Sequence, residues 1–236
     1  MDKTRTELLL GRSAVESLGS AHVAVFGVGG VGGFAAEALA RAGIGHITLV
    51  DGDKVSPSNI NRQIIALAST VGRPKTEVMR ERILDINPDA RVDVYELFYS
   101  EDTRSLFDFS SFDYVVDAID SVRSKVDLIR TAKEHGAPII SAMGAGKKLD
   151  PTRFEVADIS ETSVCPLARA VRASLKKLGI TSLKVVYSRE LSVEPPSDAP
   201  DMGDERAPGS VSFVPGVMGL IMGGEVIKEL ASRRAR

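Results

Sequence analysis

The chain of 236 residues has one cysteine, Cys165, and no tryptophan. A lone thiol excludes an internal disulfide and a four-cysteine zinc site, so no zinc is expected. The three histidines, His22, His46 and His135, are spaced for no metal and suit structural or solvated roles. Neither sign of charge dominates. The formal charge of −2 argues neither for nor against a nucleic-acid partner. No apolar run reaches the roughly 20 residues that span a bilayer; the longest, Phe213 to Ile227, carries Glu225. The opening MDKTRTELLLG lacks the apolar core of a signal peptide. These absences lead us to expect a soluble cytoplasmic protein with no integral membrane span. What is abundant is apolar residues, at 43%. They suffice for a sizeable core in one domain, or in a domain with an elaborate extension.

The apolar residues fall in alternating patterns. Glu7 to Leu18 reads as one amphipathic helix. HVAVFG is a buried strand, Val31 to Ala42 a helix ending near Gly43, and HITLVD a second strand. Lys75 to Asp85 is a helix stopped near Asn87-Pro88. RVDVYEL reads as a strand, Glu101 to Phe107 as a short helix, FDYVVDAI as a buried strand, Ser121 to Glu134 as a helix and APIISAM as a strand. Strands alternating with helices predict an α/β chain with a Rossmann-like, mostly parallel sheet and flanking helices. After Gly146 the pattern changes. RFEVADI and LKVVYS look like further strands, with a basic helix from Val164 to Leu178 between them. The proline-rich, acidic stretch from Glu190 to Ser210 has nothing to bury and reads as a mobile loop, a possible lid. Val217 to Ala231 is a glycine-containing helix, expected to pack on the sheet or at a dimer interface. The expected organisation is a single domain over 1–236, with a nucleotide part (1–145) and a C-terminal, substrate-side extension (146–236).

Gly27, Gly29, Gly30 and Gly32 lie between a strand and a helix. Backbone amides approach phosphate only where side chains are absent, and a helix amino end favours anions. Asp51 ends the next strand, where a carboxylate can accept ribose hydroxyls. A bare glycine turn could equally be a packing device. The residues behind Asp51 discriminate between nucleotides. Ser58, Asn59, Asn61 and Arg62 stand close to it, and Lys75 opens a helix. An arginine fork plus a second cation suits a triphosphate better than a nicotinamide. Taken singly, Arg62 and Lys75 could be solvated surface charges. Asp117 and Asp120 end the strand DYVVDAID, at the sheet edge where ligands of open parallel sheets bind. Asp120 is the better candidate to hold Mg2+ against phosphate oxygens, or else caps the following helix. Asp117 reads as a satisfied structural carboxylate.

The order of these motifs resembles the ubiquitin-activating-enzyme-like adenylating family, the ThiF type. The resemblance rests on G-x-G-G-V-G at Gly27 to Gly32, L-V-D-x-D at Leu49 to Asp53, S-N-x-N-R-Q at Ser58 to Gln63, V-G-x-P-K at Val71 to Lys75, and D-x-x-D-S at Asp117 to Ser121. It implies ATP-dependent adenylation of a carboxylate. Gly30 would meet the phosphates and Asp51 the ribose, with Asp53 beside it. Ser58, Asn59, Asn61, Arg62 and Lys75 would line the triphosphate. Asp120, next to Ser121, would bind magnesium or orient the attacking carboxylate. Arg5 matches an arginine that family homodimers supply in trans.

The paired C-x-x-C motifs of sulfur-carrier activators are missing. RTELLLG, NINRQ, SAMGAGKKLDPT and SVSFVP are similar to the branch of tRNA threonylcarbamoyladenosine dehydratases. That branch implies a tRNA substrate whose modified adenosine beside the anticodon carries the carboxylate. Activation by ATP would be followed by ring closure, with net loss of water. A tRNA should leave an electrostatic mark. Arg169, Arg172, Lys176 and Lys177 share a helix, and Lys147, Lys148, Lys184 and Arg189 could extend its basic face, unless that face is merely solvated. Cys165, at a helix start, could serve a cysteine desulfurase or sulfur-acceptor partner, or be a small buried residue. Three other readings stay open: activation of a ubiquitin-like sulfur carrier, an NAD-dependent oxidoreductase, and an ATP-binding adaptor in sulfur transfer without catalysis.

Overall fold

The computed structural model describes residues 1–200 and 208–233. Two short helices lead, α1 (Thr4–Leu10) and α2 (Arg12–Gly19). The sequence reads as one helix here, but the chain turns at Gly11, whose φ is +86°. Only glycine takes that conformation cheaply. The break frees α1 from the core: none of its residues is buried, and Leu8 and Leu9 are 84% and 85% exposed.

Next come β1 (His22–Phe26), α3 (Gly32–Ala42), β2 (His46–Val50), α4 (Lys75–Ile86) and β3 (Arg91–Tyr95). The strands β4 (Tyr114–Asp117) and β5 (Ile139–Ala142) flank α5 (Val122–Glu134). The helix expected over Glu101 to Phe107 is only a 3-10 turn at Arg104–Leu106. Thr103 Oγ1 there takes the Ser100 amide and the chain bends back. The chain closes with β6 (Phe154–Asp158), α6 (Pro166–Lys177), β7 (Lys184–Ser188) and α7 (Val214–Arg233). The basic helix α6 starts two residues later than the sequence suggests, because Val164 sits at φ +50° and Cys165 serves as its cap. The last helix starts three residues earlier than expected, at Val214.

One seven-stranded sheet holds all of this, in the order β3-β2-β1-β4-β5-β7-β6. Every neighbouring pair is parallel except β6 and β7. It is a Rossmann-like α/β fold, and the extension adds its two strands to the same sheet. Both faces are covered, as buried parallel strands require. Leu39, Met79 and Met218 from α3, α4 and α7 pack one face. Leu128 and Leu175 from α5 and α6 pack the other, with aromatic residues of the 99–112 segment. Glycines on α7 let it lie against α3: a methyl group on Gly219 would start 2.2 Å from the Val31 carbonyl oxygen. The expected packing of this helix on the body of the fold is therefore what is found. Among the described residues no helix is long and apolar enough to cross a membrane.

The parallel order has one functional consequence. The carboxyl ends of β1, β2, β4, β5 and β7 share an edge, and every loop leaving that edge is a potential site wall. Of the proline-rich stretch between 190 and 210, residues 201–207 lie outside the described residues, and the expectation of a lid falls partly on them. Its described ends are pinned. Val193 N–H donates to Lys147 O at 2.9 Å, and Lys147 N–H to Gly209 O at 2.8 Å. The Glu190 carboxylate takes the amides of Leu149 and Asp150.

Candidate active site

Over this edge lies a cleft of about 1040 Å³. Its floor begins at the glycine turn, where the four glycines divide by role. Gly27 has φ +88°, and a methyl group there would start 2.6 Å from the Ala118 carbonyl oxygen. On Gly32 a methyl group would start 1.8 Å from Gly27 O. These two make the turn itself possible. Gly29 and Gly30 border the cleft with looser neighbours: the Gln63 side chain at 3.8 Å from the first, and Pro215 at 3.2 Å and Arg62 at 3.5 Å from the second. They leave backbone open to a ligand.

Asp51 leaves β2 beside the turn. One carboxylate oxygen accepts the Val28 amide at 2.7 Å and the other the Asp53 amide at 2.8 Å. The acid therefore ties the glycine turn to the β2 end, and each oxygen keeps a further lone pair for a hydroxyl donor. Burial pushes its carboxyl above the ordinary range, against the pull of nearby Lys75. Lys75 is buried, and its ammonium donates to Asp53 Oδ2 at 2.7 Å. The pair holds the cation in the cleft wall.

Arg62 also borders the cleft. Its Nη1 donates to Ser58 O and to Asn61 Oδ1, both at 3.0 Å. Among the described residues it pairs with no carboxylate, and its Nη2 and Nε make no hydrogen bond. The fork is thus steered by neutral oxygens and keeps its charge for a ligand. Ser58 and Asn61 do not line the cleft themselves. They support Arg62, and Asn61 also donates to Ser210 O at 3.1 Å. Asn59 does line it, but its Oδ1 accepts the Ser56 amide and so closes the 3-10 turn Pro57–Asn59. Gln63 ends the same motif, and spacing alone gives it no role. It is 7% exposed, lines the cleft, and its Oε1 has no partner among the described residues. It leaves an acceptor at the cleft for a donor on a ligand or a water.

Asp120 stands exposed at the cleft, one residue before the α5 cap. That cap is Ser121, which takes the Ser124 amide, so Asp120 is spared the capping role. Asp117 is the structural carboxylate that its position suggests. Its side chain and that of Lys125 are 0% exposed and paired at 2.8 Å, with Ser141 Oγ donating at 2.6 Å. Asp117 Oδ1 also takes the Ile119 amide, which shapes the turn that carries Asp120.

The remaining walls come from segments that the sequence does not place at the nucleotide cleft. Leu97 to Tyr99 follow β3, Met143 to Lys148 follow β5, and Cys165 to Leu167 open α6. Cys165 is buried, and its thiol accepts the Ala168 amide at 3.5 Å, the position of a small structural cap. Arg5 lies on α1, exposed and outside this chain's own cleft. The expected basic face is smaller than supposed. Arg172 is tied to Ile159 O and Thr162 O. Lys184 pairs with Glu225 and Glu229 of α7, and Arg189 with Glu155. Lys148 is buried against Glu190 O. Arg169, Lys176 and Lys177 remain exposed on α6, and Lys147 at the cleft.

The chain that brings the glycine turn, Asp51, Arg62 and Lys75 to one sheet edge matches a known family model, described as ThiF family, over residues 4–235. The chain belongs to the ThiF family. Within it, this ThiF-family chain is 46% identical to a tRNA threonylcarbamoyladenosine dehydratase of Bacillus subtilis, over 96% of this chain and 93% of that one. The Escherichia coli protein of the same name is 39% identical over 98% of this chain and 94% of its own. Solved structures of the Escherichia coli dehydratase superpose with a TM-score of 0.90, covering 99% of this chain and 95% of theirs. Two of them are complexes, one with AMP and one with ATP.

Proposed function

We propose that this ThiF-family chain is an ATP-dependent tRNA threonylcarbamoyladenosine dehydratase. The observation that carries the reading is the meeting of Asp51, Arg62, Lys75 and Asp120 around one cleft, in a chain that matches dehydratases almost end to end. In this reading, residues 1–145 hold ATP and residues 146–236 supply the substrate side. The residues present fit a triphosphate: open backbone at Gly29 and Gly30, and an arginine fork without a counter-ion among the described residues.

Asp51 accepts the ribose hydroxyls, and the amides at Gly29 and Gly30 meet phosphate oxygens. Arg62 and Lys75 stabilise the negative charge that gathers as the phosphate bond breaks. Asp120 is the carboxylate that would hold Mg2+. Among the described residues no group of three metal-ligating side chains exists. A single carboxylate with nucleotide phosphates is the ordinary way to bind magnesium. The substrate carboxylate oxygen attacks the α-phosphorus and pyrophosphate departs. An internal nucleophile of the same modification then attacks the activated carbonyl, AMP leaves, and one proton is lost. The net change in the nucleoside is the loss of one water. No enzyme thiol is required, which agrees with the capped, buried state of Cys165.

Arg5 belongs to a second copy's cleft in this proposal, and a homodimer covers Leu8 and Leu9 of α1. The decisive experiment is mass spectrometry of nucleosides from tRNA incubated with the protein, ATP and magnesium. A loss of about 18 mass units at the modified adenosine supports the reading, since it is the water released by acyl activation and ring closure. Arg62→Ala and Asp120→Ala should abolish that loss in folded protein. An unchanged nucleoside spectrum with active ATP binding would sink it.

A further inference from the structure

An RNA is too large to enter the cleft, so it must be met at the rim by exposed cations. Most other basic side chains of the extension are already committed to partners within the chain. Lys148 is buried, Lys184 and Arg189 are ion-paired, Arg153 pairs with Asp150, and Arg172 is bound to backbone carbonyls. Lys147 is different. It borders the cleft, is exposed, and has no ion pair or side-chain hydrogen bond among the described residues.

Its backbone is unusual as well. Lys147 has φ +56°, a left-handed conformation that glycine adopts freely and side chains disfavour. Among the described residues only one other non-glycine residue has positive φ, Val164, which immediately precedes the cleft residue Cys165. Strain of this kind concentrates where function holds it in place. Here two backbone bonds hold it: Lys147 N–H to Gly209 O at 2.8 Å and Val193 N–H to Lys147 O at 2.9 Å. The residue before it, Gly146, packs so closely on Pro208 that a methyl group would start 2.9 Å away. The ammonium group is therefore carried by a fixed pedestal clamped between two segments of the extension.

We propose that Lys147 is a substrate-holding residue, whose ammonium group contacts a backbone phosphate of the RNA at the cleft rim. The proposal rests on the tRNA reading above and adds the residue and the chemical group that it meets. Phosphate of the nucleotide is the competing source of the same chemistry. Arg62 and the buried Lys75 lie in the cleft wall for that, whereas Lys147 is open to solvent.

The test compares wild type, Lys147→Gly and Lys147→Arg with threonylcarbamoyladenosine-containing tRNA at several salt concentrations. Lys147→Gly should raise KM for tRNA about tenfold and lower the salt slope of log KM by about one, as loss of one phosphate contact requires. Its KM for ATP should stay put and its melting temperature should rise, since glycine relieves the left-handed backbone. Lys147→Arg should restore the tRNA KM. An unchanged tRNA KM and salt slope, or a rise in the ATP KM in their place, overturns the proposal. Filter binding of the same tRNA without ATP separates the two readings. Weaker binding by Lys147→Gly when wild type shows no turnover upholds the contact and overturns the reaction. Turnover with indifferent Lys147 variants does the reverse.

Discussion

The division of labour among the four glycines can be tested with two methyl groups. On Gly32 the added carbon starts 1.8 Å from the Gly27 carbonyl oxygen and 3.1 Å from the Ala118 side chain. The first neighbour is backbone at the base of the turn and cannot swing away. Overpacking of a tight interior costs about 1–3 kcal/mol, and backbone on the receiving side places Gly32→Ala at the upper end. At about 2–4 °C per kcal/mol for a chain of this size, its melting midpoint should fall by roughly 6–12 °C. On Gly29 the nearest atom is Gln63 Nε2 at 3.8 Å, an ordinary contact. Gly29→Ala should keep its midpoint, or gain about 1–4 °C from a less flexible unfolded chain. Its carbon would instead stand where a phosphate approaches the backbone. The KM for ATP should rise at least about tenfold, the equivalent of ~1.4 kcal/mol of lost binding. Differential scanning fluorimetry with and without ATP reads both effects. Gly32→Ala should melt early and Gly29→Ala should lose the shift that ATP gives. If both variants lost the same stability, or if Gly29→Ala kept the full shift, the glycine roles assigned here would be wrong.

Three further outcomes are expected. Lys125→Met should cost about 3–5 kcal/mol by stranding the Asp117 carboxylate in an apolar interior, and Lys125→Met with Asp117→Asn should recover part of it. Chemical denaturation checks both, and a double variant no better than the single one counts against the pairing. His22 is held down to about 4 by burial and by neighbouring His46. A depressed histidine favours the neutral folded form. Its contribution is whole above 6.5 and is lost as pH falls through about 4. Partial exposure limits the effect to about 1 kcal/mol. His22→Gln should flatten the melting curve between those pH values, and an unchanged slope would refute the assignment. Mixing Arg5→Ala with Arg62→Ala protein should restore roughly a quarter of wild-type turnover if Arg5 serves a partner's site in a symmetric dimer. No recovery would place Arg5 elsewhere.

Much of the fold was legible because glycines and acids punctuate the strand ends. Gly27 and Asp51 mark two carboxyl ends directly, and they carry both the sheet edge and the first half of the site. The differences have two causes, local backbone geometry and contacts set by distant residues. Glu7 to Leu18 keeps a helical apolar pattern across Gly11, so the break shows only in the backbone angle. Ser58 and Asn61 lie within the right motif, but spacing cannot say which side of a 3-10 turn faces the ligand. Arg172, Lys184 and Arg189 look free along the chain because their partners, Ile159, Glu225 and Glu155, lie 13 to 41 residues away. Gln63 could have been found. A polar residue directly behind Arg62 was a visible signal, and only its burial gave it meaning. The far wall of the cleft, from Leu97, Met143, Cys165 and Ser192, assembles from segments without a common motif.

Pro215, in the first turn of α7, stands opposite Gly30 and lines the same cleft. Two segments about 185 residues apart in the chain thereby wall one cleft. A ribosome-bound chain can carry the entire glycine turn, Asp51 and Arg62 well before residue 215 has been synthesised. Until then the cleft lacks the wall that Pro215 supplies, and a ligand that needs the complete wall has no finished site.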